Sequence, residues 1–375
     1  MFHKHLNFMT TDEKNMRIAL RLGNKGLGRT SPNPPVGAVI VKDGKIIGKG
    51  WHKKAGLPHA EIEAIEDAYR NGYRSFSGAT IYVTLEPCCY FGKTPSCSDR
   101  IIAEKFARIV IGTTDPNPRV CGEGIRICRN HNIEVTTGVL EKDTKNLIEF
   151  FDTYIRKSRA FLTVKYAQSI DGRIAVADGS SQWISSQQSL RFTHKLRDTH
   201  DVVMIGTGTL EIDDPLLTVR NIRGRNPVRI VVIGKKSIKP NRRMFHDNAA
   251  RTIVVTYLDK PFGNEQNPGN VEIWRTEPDN DGKTSIKWIL EKLSEEGLLS
   301  VLLEGGGKLL GEAISQNSAD RIYAIVAPKI IGSAGVPSID CEIASSIKDS
   351  NILKDIEYKK LGQDMVISAR FRAND

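Results

Sequence analysis

The stretch that decides the fold runs from His59 to Cys97, with His59-Ala60-Glu61 at its start and Glu86-Pro87-Cys88-Cys89 near its end. After His59 the pattern is that of a helix reaching about Asn71, and the apolar run 80–85 has the pattern of a buried strand. Eight residues separate Cys88 from Cys97, where a further helical pattern begins. One imidazole and two thiols distributed over these elements predict a zinc site.

His59, Cys88 and Cys97 are the candidate zinc ligands. Three protein ligands leave a fourth position for water, which then loses a proton near neutral pH and can attack a substrate. Glu61 lies two residues after His59 and does not share its helix face, so it is the candidate general acid/base rather than a ligand. The same residue types occur in this order in zinc-dependent nucleobase deaminases. The stretch therefore predicts hydrolytic deamination.

Cys88 and Cys89 are adjacent, so the residues leave open which of them is the ligand. We favour Cys88 because it directly follows Pro87, as in the deaminase signature. Pro87 is expected at or before a helix start, where the helix dipole would lower the pKa of the Cys88 thiol. The other thiols are expected to be ordinary buried side chains; they are Cys121, Cys128 and Cys341.

The composition describes a globular protein of two domains. The length of 375 residues exceeds the usual size of a single hydrophobic core, which predicts two domains. The content of 39% hydrophobic and 26% charged residues is that of a globular protein. No apolar run approaches the length of a membrane span, and residues 1–10 lack the hydrophobic segment of a signal peptide. Six cysteines, three of them assigned to zinc, fit a reducing compartment, so we expect a cytoplasmic protein.

The net charge of +10 raises the question of nucleic acid. The basic residues form no run longer than doublets such as Lys53-Lys54, and no aromatic residues interleave with them. Small phosphorylated ligands explain the excess charge equally well. We therefore expect neither a nucleic-acid partner nor a membrane partner.

Strands alternate with helices in both halves, which predicts α/β domains over 10–156 and 160–373. In the first domain, Asn33 and His52 flank a predicted hairpin and are candidates to contact a pyrimidine or its sugar. An Asx turn and an exposed histidine are the alternative interpretation. Lys93 is a candidate phosphate contact or a solvated lysine.

Two glycine turns follow strands in the second half. Gly305-Gly306-Gly307 precedes a predicted helix at Lys308, and the other turn is Gly206-Thr207-Gly208-Thr209. Bare amides at a helix start can bind phosphate, although neither turn matches a nucleotide-binding motif and both are compatible with plain tight turns. Trp183 could stack on a ring or lie in the core.

Several motifs in a fixed order resemble one family over almost the whole chain: the bifunctional deaminase-reductases of riboflavin biosynthesis. In the first half the matching motifs are Asn33-Pro34, Gly56 to Glu61, Val83 to Cys88, Gly92-Lys93-Thr94-Pro95 and Asp115-Pro116-Asn117-Pro118. In the second half they are Ser169 to Arg173, Ser181 to Ile184, Asp213 to Thr218, Glu304-Gly305-Gly306 and Ala327-Pro328-Lys329.

The resemblance implies a cytidine-deaminase-like layered α-β-α domain followed by a dihydrofolate-reductase-like α/β domain. It implies zinc-dependent removal of an amino group from a phosphoribosylamino-pyrimidine, with Asn33, His52 and Lys93 near the substrate, and then reduction of its ribose to a ribityl chain with NADPH. The reductase substrate contacts would be Ser181, Arg197, Leu217, Arg220 and Glu304. The NADPH contacts would be Lys165, Ala167, Trp183, Thr209, Asp213, Gly306, Gly307, Lys308, Leu309, Leu310 and Gly311. Family members are oligomers, so a homodimer is expected.

The chain departs from the family pattern at Cys89, Tyr90, Cys121 and Gly234. None of these is a zinc ligand, but Tyr90 and Gly234 each replace a possible polar contact. Two other functions compete: a polynucleotide deaminase whose second domain binds RNA, and a protein whose zinc is purely structural with all four positions closed.

Overall fold

The computed structural model describes residues 9–90, 96–279 and 282–372. The prediction for Lys93 therefore falls outside the described residues. The chain divides into two compact units between Ser158 and Arg159. Among the described helices, none combines the length and the apolar character needed to cross a membrane.

The first unit is a sheet with helices on both faces. Its helices are α1 (Thr11–Gly23), α2 (Ala60–Arg70), α3 (Cys97–Ala103), α4 (Glu123–Asn130), α5 (Glu141–Leu147) and α6 (Glu149–Lys157). Its strands are β1 (Gly37–Lys42), β2 (Lys45–Trp51), β3 (Thr80–Leu85), β4 (Arg108–Thr113) and β5 (Glu134–Thr137). In the part of the chain that is described, the sheet order is β2-β1-β3-β4-β5; β3, β4 and β5 run parallel, and β1 is antiparallel to β2 and β3.

Alternation along the strands explains the layers. Ile81 and Val83 of β3 belong to the core that contains apolar residues of α2, α3 and α4. Tyr82, between them, belongs to the core formed with α1 and α5. Successive side chains of a strand point to opposite faces, so β3 is covered on both sides. The layered α-β-α architecture expected of the first half is confirmed.

The second unit contains a larger mixed sheet. The strands of the unit are β6 (Phe161–Ser169), β7 (Arg173–Ala175), β8 (Val202–Gly206), β9 (Val228–Val232), β10 (Thr252–Thr256), β11 (Val271–Arg275), β12 (Ser300–Glu304), β13 (Arg321–Ala327), β14 (Val336–Pro337), β15 (Leu353–Leu361) and β16 (Asp364–Phe371). Of these, β7 and β14 pair with each other in a separate two-stranded sheet. Its helices are α7 (Gln187–Thr199), α8 (Thr207–Asp213), α9 (Ile286–Glu295) and α10 (Gly307–Ser315). Within the described ranges the main sheet has the order β11-β10-β9-β8-β12-β6-β13-β16-β15.

Most of this sheet is parallel, and only the β13-β16-β15 edge is antiparallel. Parallel strands buried on both faces read as continuous apolar runs, which is why β8, β9, β10 and β12 are recognisable in the sequence. Because β8 and β12 are parallel neighbours, the glycine-containing segments that follow them lie at the same end of the strands, the carboxyl end. The α/β class expected of the second half is confirmed.

The N-cap of α1 is Thr10, which forms a capping box with Glu13. A break at Ile148 separates α5 from α6 and leaves both Leu147 and Ile148 buried at 4% and 2% exposure. Two local predictions were wrong. Thr207 begins a helix instead of continuing a glycine turn. Cys121 and Cys341 are exposed, whereas Cys128 is buried as expected.

Candidate functional site

The three candidate zinc ligands lie at the ends of secondary-structure elements in the first unit. His59 is the N-cap of α2, and Cys97 is the first residue of α3, directly after Ser96, whose side chain caps that helix. Cys88 lies in the irregular segment that follows β3. The prediction that Pro87 lies at or before a helix start was therefore wrong, and the helix N-termini in this site are those of α2 at His59 and of α3 at Cys97.

The ligand atoms of these residues converge on one point. The Nδ1 atom of His59 lies 3.3 Å from Sγ of Cys97 and 3.6 Å from Sγ of Cys88. The three ligand atoms lie within 4.8 Å of one another. Tetrahedral Zn²⁺ with ordinary bond lengths requires ligand atoms separated by roughly 3.5 to 3.8 Å. The residues therefore fit a zinc ion bound through Nδ1 and two sulfurs.

Electrostatics in the cluster favour an anionic sulfur. The hydrogen bond from the Cys97 thiol and the adjacent His59 lower the pKa of Cys88 to about 4, although burial acts in the opposite direction. The hydrogen bond between the side chains of His59 and Cys88 raises the pKa of His59 to about 9. The backbone N–H of Cys97 also donates to Sγ of Cys88 at 3.4 Å. Zinc binds thiolates, so this environment prepares Cys88 as a ligand.

Glu61 lies in the first turn of α2 with only 4% of its surface exposed. Burial raises the pKa of its carboxyl group to about 7, and the neighbouring His59 only partly offsets this. The carboxyl group also contacts the Cys97 side chain. A carboxyl group that exchanges protons near neutral pH beside the metal ligands is suited to general acid/base chemistry.

Asn33 and His52 also meet at this site. The ring of His52 packs edge-on against that of His59, with centroids 5.3 Å apart. Nδ1 of His52 lies 3.0 Å from the carbonyl oxygen of Pro58, so Nδ1 carries the proton and Nε2 accepts from the Asn33 amide at 3.1 Å. Burial lowers the pKa of His52, which agrees with a neutral ring. The amide oxygen of Asn33 can then accept from a substrate.

Glu86 is a residue whose importance the sequence did not reveal. Its carboxylate is buried and accepts backbone N–H groups of Asp115 and Gly122 on one oxygen and of Ile125 on the other. These bonds fix the loop after β4 beside Cys88. The donors are backbone atoms far along the chain, and a motif alone does not identify them.

In the second unit, Arg197 and Glu304 form a buried ion pair. Two guanidinium nitrogens of Arg197 donate to the two carboxylate oxygens of Glu304, and its Nη1 donates to the carbonyl oxygen of Thr218 at 3.1 Å. Lys165 lies 3.7 Å from the same carboxylate. The structure thus brings together one predicted cofactor residue and two predicted substrate residues at the carboxyl end of β12, where Glu304 pairs with Lys165 in the middle of β6.

The glycine turn after β12 is held by Thr209. Its hydroxyl group accepts the N–H of Gly306 at 3.0 Å, and Gly305 has a φ of +131°, which only glycine adopts readily. Gly306 is the N-cap of α10, so backbone amides point out of the turn.

Not every residue predicted for this turn is accessible. Gly307 and Gly311 pack closely against the segment 337–341, and Leu310 is fully buried. Leu309 packs against the core, and Lys308 is exposed.

The remaining predicted residues differ in their exposure. Ser181 donates to Asp213 at 3.3 Å, and the indole of Trp183 is 62% exposed rather than in the core. Ala167 is half-buried in β6, Leu217 is buried, and Arg220 is exposed.

Two protein-family models match the chain. The model described as the RibD C-terminal domain matches residues 160–367, and the one described as the cytidine and deoxycytidylate deaminase zinc-binding region matches residues 9–113. The first match identifies the second unit as a reductase domain rather than an RNA-binding module.

Individual relatives match over nearly their full lengths. The riboflavin biosynthesis protein RibD of Aquifex aeolicus is 40% identical over 357 residues, which is 95% of this chain and 97% of that protein. RibD of Escherichia coli is 32% identical, covering 95% and 98% of the two chains.

A solved Thermotoga maritima structure, described as a diaminohydroxyphosphoribosylaminopyrimidine deaminase/5-amino-6-(5-phosphoribosylamino)uracil reductase, is 40% identical. It has a TM-score of 0.85 and covers 96% of this chain and 99% of its own. A structure of Acinetobacter baumannii RibD has a TM-score of 0.82 at 29% identity, covering 96% and 99% of the two chains.

Proposed function

Since the chain belongs to the RibD family of riboflavin-biosynthesis proteins, which are bifunctional deaminases and reductases, we propose that it performs two consecutive reactions. The first is hydrolytic deamination of 2,5-diamino-6-(5-phosphoribosylamino)pyrimidin-4-one in the domain 10–156. The second is reduction of the ribosyl group of the product to ribityl in the domain 160–373. The observation that carries the proposal is the convergence of His59, Cys88 and Cys97 beside the buried carboxyl group of Glu61.

In the deaminase domain, His59, Cys88 and Cys97 would hold Zn²⁺. When bound, the ion lowers the pKa of water at its open position. Glu61 would take the proton from that water and deliver it to the leaving amino group, which departs as ammonia. Asn33, oriented by His52, would accept a hydrogen bond from the pyrimidine. Lys93 stays a predicted phosphate contact.

In the reductase domain, Arg197 and Glu304 would form the floor of the substrate site, with Ser181, Leu217 and Arg220 around it. Arg220 is exposed and suited to the substrate phosphate, because guanidinium groups bind phosphate bidentately. Its backbone N–H donates to Nδ1 of His194, and its Nη1 donates to the hydroxyl group of Thr218 at 2.8 Å.

NADPH would bind at the turn after β12 and supply the hydride. Gly306 and the first turn of α10, within the predicted contacts Gly306 to Gly311, would contribute backbone amides, and the exposed indole of Trp183 a stacking surface. Thr209, which holds Gly306, and Asp213, which accepts from Ser181, would line the same site together with Lys165 and Ala167.

The proposal is tested with the full-length chain, purified and analysed for bound metal. One assay measures ammonia released from the diaminopyrimidine, and the other measures NADPH oxidation with the deaminated aminouracil supplied directly. We expect one zinc per chain and both activities. Zinc-loaded protein that releases no ammonia and oxidises no NADPH would refute the proposal, and activity in one assay alone would limit it to that domain.

We also propose a cytoplasmic location and a homodimer. The location is supported by free thiols, including two zinc ligands, which a reducing compartment preserves. The dimer rests on the family resemblance alone. Sedimentation of the purified chain measures its mass directly.

A further inference from the structure

Arg229 of β9 is fully buried and makes an extensive set of contacts. Its guanidinium donates five hydrogen bonds, which is the full capacity of this side chain. The acceptors are Oγ1 of Thr252, both carboxylate oxygens of Asp247, and the carbonyl oxygens of Ala250 and Leu216. Four of these bonds join β9 to the chain around β10, and the fifth, to Leu216 at 3.2 Å, does not.

The carbonyl of Leu216 begins the segment 216–220, which contains two of the predicted substrate contacts, Leu217 and Arg220. Leu217 has a φ of +54°, in the left-handed region that non-glycine residues rarely adopt. Its side chain is 2% exposed and packs in the core beside Val231 and Ile233 of the β9 region. Because the side chain points inward, Leu217 can offer a ligand only its backbone groups, whose position depends on the neighbouring peptide units.

The other end of the segment is also held by side chains outside it. Arg197 donates to the carbonyl oxygen of Thr218, and Nδ1 of His194 accepts the backbone N–H of Arg220 at 3.2 Å. His194 is 1% exposed and belongs to the same helix as Arg197. The segment is therefore held from α7 on one side and from β9 on the other.

We propose that Arg229 is a positioning residue of the reductase, which fixes the Leu216 carbonyl and so sets the backbone of 217–220 for binding the phosphorylated substrate. The proposal rests on the substrate contacts assigned above to Leu217 and Arg220. Arg229 does not reach the substrate itself, since its side chain is completely enclosed. A residue that only holds β9 to β10 would affect stability without changing substrate affinity.

The experiment compares Arg229→Lys with Thr252→Ala in the full chain. Lysine keeps the positive charge but cannot reproduce the planar five-donor geometry. Thr252→Ala removes the acceptor of the Nε bond, which is part of the attachment to β10, and leaves the Leu216 bond intact. The measurements are the melting temperature, kcat, and the KM values for NADPH and for 5-amino-6-(5-phosphoribosylamino)uracil.

For Arg229→Lys we expect the KM for the aminouracil substrate to rise about tenfold, with the KM for NADPH changed less than about twofold, because displacement of a binding group by about 1 Å weakens binding strongly. Thr252→Ala should lower the melting temperature while both KM values stay within about twofold of wild type. The deaminase rate of each variant reports whether the first domain is intact.

An unchanged substrate KM in folded Arg229→Lys would overturn the proposal, as would equal KM increases in both variants. If Arg229→Lys does not fold, Asp247→Asn takes its place, because it removes the carboxylate that orients the guanidinium. The same KM values are then measured, with the same outcomes supporting or overturning the proposal. A wild-type chain that oxidises no NADPH would instead refute the proposed function.

Discussion

The guanidinium of Arg197 pairs with the carboxylate of Glu304 through two hydrogen bonds of 2.6 and 3.0 Å, although the residues are 107 positions apart in the chain. Both side chains are buried. Burial by itself raises the pKa of Glu304, but the charges of Arg197 and Lys165 outweigh it and lower the pKa to about 2. The carboxylate therefore stays ionised at every pH where the protein is expected to work.

Because of this pair, the free energy of unfolding of the second unit should decrease as the pH falls into the acid range. A carboxyl group whose pKa is lower in the folded chain than its ordinary value of 4.5 stabilises the fold above that value, and the contribution is lost as the pH falls toward 2. The loss should be on the order of 3 kcal/mol between pH 5 and pH 2. Urea unfolding at successive pH values measures it.

Glu304→Gln removes this pH-dependent contribution and leaves Arg197 buried without its anionic partner, which should cost about 3 kcal/mol or more at pH 7. The control is Glu272→Gln, because Glu272 forms a similar two-bond pair with Arg251 at the surface, worth less than about 1 kcal/mol. The same slope of stability against pH in wild type and Glu304→Gln would contradict the role assigned to this pair.

Glu61→Gln should reduce deamination by about 10² to 10⁴-fold, because the amide cannot transfer the proton. Zinc content and the reductase rate with preformed aminouracil should not change. Glu63→Gln is the matched control, since Glu63 lies on the same helix and pairs with Lys53 at 2.6 Å. Retained deamination in Glu61→Gln, with zinc bound, would favour a different general base or a purely structural metal.

Cys88→Ser and Cys89→Ser decide between two adjacent thiols. Sγ of Cys88 lies near His59, whereas Sγ of Cys89 lies 3.8 Å from the carbonyl oxygen of Arg119. We expect Cys88→Ser to lose both zinc and deamination, and Cys89→Ser to keep them. Metal analysis after dialysis gives the answer, and zinc loss confined to Cys89→Ser would transfer the ligand role to that residue.

Gly305→Ala tests the cofactor turn. A Cβ atom at this position would lie 2.5 Å from Oγ1 of Thr209, the atom that accepts the Gly306 N–H. The substitution should displace this contact and raise the KM for NADPH roughly tenfold.

Gly263→Ala is the control for the backbone strain. Gly263 also has a positive φ, but its Cβ would have space, so we expect a cost of about 1 kcal/mol in stability and no effect on NADPH. Equal KM values for NADPH in the two variants would argue against cofactor binding at the turn after β12.

Zinc chemistry restricts residue types so strongly that His59, Glu61, Cys97 and the adjacent pair Cys88-Cys89 are recognisable as candidates from the order of residues alone. The layers are recognisable as well, because buried parallel strands such as β8 and β12 are continuous apolar runs whatever surrounds them. The sequence patterns indicated the helix that begins at Cys97, but they also favoured a helix start at Pro87, where the chain is irregular, and they did not locate the break at Ile148. Whether a helix starts or breaks at such positions depends on side chains packed from elsewhere in the fold.

Tertiary structure alone identified the residues that hold the sites in place. Glu86 binds three backbone N–H groups, Arg229 binds the carbonyl of Leu216, and His194 binds the N–H of Arg220. Every residue except proline carries the same N–H and C=O groups, so nothing in the sequence distinguishes the particular backbone atoms to which a buried side chain will bind. Ligands can be recognised from their chemistry, whereas positioning contacts are defined only when distant segments of the chain meet.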